Sequence, residues 1–130
     1  MAAKKLKRKP VSKLLPITRT IRLLRASGWI AGRVEEARGK ISFDWAGYAD
    51  VIAWRPPNQW FLVQCTGTTS TTGNVWERVR KIRANAAARA MIFAGERVEV
   101  WGWSRYKIEH MVVQMMPCDL GCPMVALGKL

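Results

Sequence analysis

Trp60-Phe61-Leu62-Val63-Gln64-Cys65 is a near-continuous apolar run set between a Pro56-Pro57-Asn58-Gln59 turn and a polar Gly67-to-Gly73 loop. A strand that faces solvent on one side alternates apolar and polar residues, whereas an unbroken apolar run fits a strand buried on both faces. Such a strand needs a packed layer above it and another below, and the neighbouring sequence supplies candidates for both. From Thr18, a plausible N-cap, Ile21, Leu23 and Leu24 lie among Arg19, Arg22 and Arg25, which predicts a short helix with one apolar and one basic face, ended by Gly28. After the polar loop, Val75, Val79, Ile82 and the Ala86-to-Ala90 run alternate with Arg78, Arg80, Lys81, Arg83 and Arg89, which predicts one amphipathic helix over 74–91. Asn74 reads as its N-cap, with Glu77 three residues on completing a capping-box-like start.

The remaining strands follow from composition and turns. Trp29 to Val34 is an apolar extended stretch leading to Glu35 and Glu36, and Tyr48 to Trp54 is rich in β-formers. Between them, Arg38-Gly39-Lys40 reads as a turn and Ile41 to Trp45 as a short extended link. The Pro-Pro turn joins Tyr48–Trp54 to the apolar run as a hairpin. Beyond Gly95, Arg97 to Trp103 and Lys107 to Val113 carry the strand period. The order is helix, three strands, helix, two strands: an α/β fold, one domain with a central mixed β-sheet flanked by helices. A length of 130 residues allows one core. The expected division is a flexible basic arm over 1–16, an α/β domain over 17–115 and a C-terminal tail over 116–130.

Charge narrows the partner. Lys and Arg number 22 against 9 Asp and Glu, a formal net charge of +13, which favours a polyanion. No apolar run approaches the roughly 18 residues that span a bilayer, and no apolar segment follows the basic N-terminus as in a signal peptide. Cys65, Cys118 and Cys122 have no disulfide-framework spacing, so a reducing, cytoplasmic setting is expected. Lys4, Lys5, Lys7, Arg8 and Lys9 suit salt-dependent tracking of phosphates. Arg19, Arg22 and Arg25, with Arg78, Lys81 and Arg89, are the expected phosphate contacts of the folded part, and nucleic acid is preferred over a membrane surface because the early Lys/Arg run has no wide apolar face.

The chemistry-bearing candidates are polar residues at the ends of apolar strands. Asp50 sits between Ala49 and Val51, and Gln64 near the end of the apolar run. Each has a plain structural role open to it, the carboxylate as a turn acceptor and the amide as a cross-sheet partner. Together with Glu35 or Glu36 they could set several oxygens round one point, a donor set that suits Mg²⁺ or Mn²⁺. Most of the seven tryptophans read as packing, while any left exposed could stack on an unpaired base. Cys118 and Cys122 with His110, and Cys65 or Asp119 as a fourth ligand, make a loose zinc spacing that is not favoured.

The order of elements, with Val34-Glu35, Asp44-x-x-Gly47-Tyr48-Ala49-Asp50, Val63-Gln64-x-Thr66 and Asn74 through Ile82, resembles the PD-(D/E)XK nuclease superfamily, in particular small phage and prophage proteins assigned to it. The resemblance spans Thr18 to Val113 and implies a restriction-endonuclease-like αβββαβ core. It further implies a metal-dependent, resolvase-like DNA endonuclease in the host cytoplasm, in which Asp50, Gln64 and Glu35 hold Mg²⁺ or Mn²⁺. Gln64 and Thr66 depart from the superfamily's (D/E)-x-K pair, so the resemblance leaves Lys81 as a migrated ammonium and Asp44 as a substitute carboxylate. Paired cuts would require two sites, as in a homodimer. The alternative is a nuclease-fold protein without catalysis that binds nucleic acid, or a virion or host-interaction protein.

Overall fold

The computed structural model describes residues 14–34, 36–38, 41–43, 45–68, 73–106 and 110–117. Helix α1 (Pro16–Ala26) precedes strand β1 (Ile30–Arg33), a small hairpin of β2 (Glu36–Arg38) and β3 (Ile41–Phe43), and strands β4 (Val51–Arg55) and β5 (Gln59–Thr68). Helices α2 (Gly73–Ala84) and α3 (Ala86–Phe93) then lead to β6 (Arg97–Ser104) and β7 (His110–Gln114). Five strands form one mixed sheet in the order β1-β4-β5-β6-β7, with β5 and β6 parallel and the other pairs antiparallel. The chain is thus a single-domain α/β fold with helices on both sheet faces, as the apolar run requires.

The period of two along β5 sorts its side chains between two cores. Phe61, Val63 and Cys65 join Val51, Ala53, Trp101 and Trp103 beneath Ile21 and Leu24 of α1. Leu62 joins Val98 and Val100 beneath Val75, Val79 and Ile82 of α2 and Ala88 and Ile92 of α3. Each fully buried Val or Ile contributes about 1.5–3 kcal/mol by leaving water, which is what sets these strands in register with the helices. Gly102 lies where α2 comes nearest the sheet: a Cβ there would stand 2.2 Å from Val75 Cγ2.

Four local expectations need correction. The helix expected over 74–91 is two helices. Asn85 takes extended backbone angles, φ −88° and ψ 119°, its side chain accepts from Ala88 N at 2.9 Å and its Nδ2 donates to Ala46 O at 3.0 Å. A cap inside a helix-favouring sequence restarts the helix when the cap also gains a tertiary partner. Asn74 lies inside α2 rather than capping it, and its Nδ2 donates to Gly67 O at 2.6 Å. Thr18 is likewise interior, since α1 begins at Pro16, whose missing N–H costs nothing in the first turn. The link starting at Ile41 is a strand paired with β2, Glu36 opposite Phe43 and Arg38 opposite Ile41.

Candidate functional site

The β4–β5 hairpin sets the site. Val51 pairs with Val63, Ala53 with Phe61 and Arg55 with Gln59, across a turn with a cis Pro56–Pro57 bond and Asn58 at φ 57°. Continuing this register one step past Val51 brings Asp50 opposite Gln64. The backbone there is tied on both sides: Asp50 N donates to Val63 O at 2.9 Å, and Val34 N donates to Asp50 O at 3.1 Å.

Both side chains are buried, Asp50 at 4% exposure and Gln64 at 2%. Asp50 Oδ2 accepts from Gln64 Nε2 at 2.8 Å and from Cys65 N at 2.8 Å. A buried carboxylate needs such donors to offset lost hydration, and an amide beside it must turn its N–H₂ toward the negative oxygen. The amide oxygen is therefore aimed away. Gln64 Oε1 makes no hydrogen bond and is the one buried side-chain oxygen or nitrogen, among the described residues, without a partner. Thr66, two residues on, is buried, and its Oγ1 donates to Gly67 O at 3.3 Å.

Asp50 and Gln64 are thus brought together, while Glu35 and Asp44 lie outside the described residues. Lys81 is exposed on α2, one residue before the buried Ile82. Among the described residues no group of three or more His, Cys, Asp or Glu is placed to hold a metal ion. As donors, the pair offers one acceptor oxygen in Gln64 Oε1 that a hard cation could use, beside a carboxylate oxygen already taken by two N–H groups. Cys118, Cys122 and Asp119 fall outside the described residues. His110 lies stacked on Trp101 and Trp103, with centroids 5.1 and 4.4 Å away, and burial together with the Arg19 charge lowers its pKa.

The basic residues divide by what they touch. Lys4, Lys5, Lys7, Arg8 and Lys9 lie outside the described residues. On α1, Arg19 Nη1 donates to Ser104 O at 2.9 Å with the guanidinium 4.4 Å from the Trp103 ring, and burial lowers its pKa. Arg25 donates through Nε and Nη2 to Ala31 O at 3.1 and 2.9 Å, so both residues fasten α1 to the sheet. Arg22 is exposed. Arg78 and Arg89 are half-buried, and Arg89 Nη1 reaches Arg83 O at 3.1 Å.

The outward-facing guanidiniums of α2 are Arg80 and Arg83, which share one exposed flank with Trp76. Their i, i+4, i+7 spacing is the sequence signal for that flank. A concave feature of about 330 Å³ lies where β5 and β6 begin: Arg55 stands 4.1 Å from the Trp29 ring, and Arg97 4.1 Å from Phe61 while paired with the buried Glu99.

No helix among the described residues is long and apolar enough to cross a membrane. Comparison with protein-family models, with curated proteins and with solved structures finds no match to the chain.

Proposed function

We propose that this protein binds nucleic acid, DNA in the first place, on a nuclease-like sheet whose carboxylate–amide centre holds structure instead of cutting. The observation that carries the non-cutting part of this reading is the Gln64 Nε2 to Asp50 Oδ2 hydrogen bond in a buried setting. Two facing carboxylates need a cation or a shared proton to be stable together, whereas an amide N–H₂ can donate to a carboxylate without either. The net charge of +13 supplies the affinity, through the exposed residues of α2 and Arg22. The order α1, β1, β4, β5, α2–α3, β6, with the small β2–β3 hairpin inserted after β1 and with β5 and β6 parallel, is compatible with the superfamily likeness.

A second reading, metal-dependent hydrolysis of phosphodiester bonds, draws support from the orphaned Gln64 Oε1. In that reading Gln64 Oε1, the Asp50 carboxylate and Glu35 hold Mg²⁺ or Mn²⁺, which when bound activates water and stabilises charge on a phosphoryl group. Gln64 and Asp50 orient the donor oxygens, and Lys81 on α2 offsets charge on the nucleic acid.

Incubation with supercoiled, linear, single-stranded and four-way-junction DNA, with Mg²⁺ or Mn²⁺ and with Asp50→Asn as control, separates the two. Retention without cutting is the expected result. Cutting that Asp50→Asn abolishes would replace it with the nuclease reading, and the absence of both binding and cutting would overturn both.

A further inference from the structure

The flank of α2 that overhangs the sheet edge carries a feature no part of the Asp50–Gln64 centre uses. Val75, Val79 and Ile82 point into the core, and Trp76, Arg80 and Arg83 follow one helical step round. Across from them runs β7, the last strand of the sheet. Between α2 and β7 lies a groove of about 430 Å³ lined by Trp76, Val79, Arg80, Arg83, Val113 and Gln114. Its lining includes two guanidiniums and an indole, with no acidic side chain.

An indole that is 46% exposed beside two exposed arginines is an unusual use of surface. Tryptophan buries a large apolar face when it can, and here the sheet edge lies beside it. At 1.5 Å per residue the axial offset from Trp76 is about 6 Å to Arg80 and about 10.5 Å to Arg83, so one flat ring is followed by two cations along the groove. A single strand presents open base faces beside a row of phosphates, and a stacking platform next to cations is how proteins hold unpaired nucleic acid. In a duplex the base faces are already stacked on one another and closed to an indole.

We infer that the α2–β7 groove binds single-stranded nucleic acid, with Trp76 stacking on a base and Arg80 and Arg83 contacting successive phosphates to one side of it. This inference rests on the nucleic-acid reading and assigns it a strand type and a place. Val79 and Val113 form the apolar floor on which a base edge rests, and Gln114 offers an amide to it. Replacing Trp76 removes one stacked base, about a tenfold loss of affinity or more. Replacing Arg80 and Arg83 together removes up to two phosphate contacts, lowering the slope of log K against log salt by about 0.7 for each.

The test is fluorescence anisotropy of a labelled oligothymidylate of about 12 nucleotides, within the usual span of one such site, and of its duplex with oligoadenylate. The proteins compared are the full chain, Trp76→Ala, Trp76→Phe and the Arg80→Ala/Arg83→Ala double variant. Trp76→Ala is expected to weaken single-strand binding about tenfold and leave duplex binding unchanged, with Trp76→Phe recovering most of the loss. Unchanged single-strand binding in both Trp76→Ala and the double variant overturns the groove while leaving the nucleic-acid reading intact, as does an equal loss for single strand and duplex. Failure of the unaltered chain to bind either form overturns the broader reading and the groove with it. Thermal melting of each variant guards against a folding defect, and a 5-iodouracil strand that photocrosslinks to Trp76 supports the placement even where a variant is unstable.

Discussion

Replacing Gln64 by Glu exchanges an NH₂ for an oxygen of nearly the same size and so probes the charge logic of the buried centre alone. In the native protein the amide donates to Asp50 Oδ2 at 2.8 Å, and both residues are almost fully buried. In Gln64→Glu two carboxyl groups face each other at that separation, and the folded state keeps them together by retaining one proton between them. Retaining a proton at pH 8 on a group that ionises near 4.3 when unfolded costs at most about 5 kcal/mol, at 1.36 kcal/mol per pH unit. The shared proton restores a hydrogen bond like the one lost, so that gain and loss nearly cancel. Exposing the pair caps the cost at about 3–5 kcal/mol, the loss typical of an uncompensated buried charge.

The sign follows from linkage: the pair's folded pKa is raised, so the stability it holds is complete below the unfolded value and is lost as pH rises. Gln64→Glu is therefore expected to be about 3–5 kcal/mol less stable than the native chain at pH 8, and about 1 kcal/mol less stable at pH 5. For a chain of this length that corresponds to a Tm deficit of roughly 12–20 °C at pH 8. Urea and thermal unfolding across pH 5 to 8 measure it. A deficit that is the same at both ends, or none at all, would refute the reasoning. Recovery of the Tm at pH 8 on adding Mg²⁺ or Mn²⁺ would favour the metal reading over the structural one.

Three further outcomes are expected. Gly102→Ala forces a Cβ to 2.2 Å from Val75 Cγ2 and should cost about 1–3 kcal/mol, and combination with Val75→Ala should be less damaging than the two added together in a double-mutant cycle. Asn85→Ala removes the Ala88 cap at 2.9 Å and the bond to Ala46 O, so chemical denaturation should show a loss of about 1–2 kcal/mol. Burial raises the Tyr48 phenol from 10.0 to about 12, so stability present below pH 10 is lost as pH climbs from 10 to 12. Tyr48→Phe should flatten that alkaline stretch of the unfolding profile.

The pairing of Asp50 with Gln64 is legible in the sequence, because a hairpin turning on Pro56–Asn58 with Val51 opposite Val63 brings residue 50 opposite residue 64. The two-faced burial of β5 is legible from its unbroken apolar run. The break at Asn85 is not: the Ala run beyond it favours helix, and only the bond to Ala46, far away in sequence, reveals what the Asn side chain does. The β2–β3 hairpin escapes a reading by periodicity because three residues per strand give too short a window for a period to show.

Arginines are the clearest case of information the sequence lacks. Arg19 and Arg25 read as surface charge, yet both guanidiniums bond backbone carbonyls, Ser104 O and Ala31 O, while Arg80 and Arg83 face outward on α2. The orphaned Gln64 Oε1 is equally hidden, since it depends on which way one amide is turned by its neighbour.

The most direct test of the central claim is the salt dependence of DNA binding by the unaltered chain, measured by anisotropy in chelator and again in Mg²⁺. Binding whose log K falls linearly with log salt, persists in chelator and produces no shortened DNA in Mg²⁺ is the expected result. Affinity that is indifferent to salt, or the absence of binding at low salt, would contradict it.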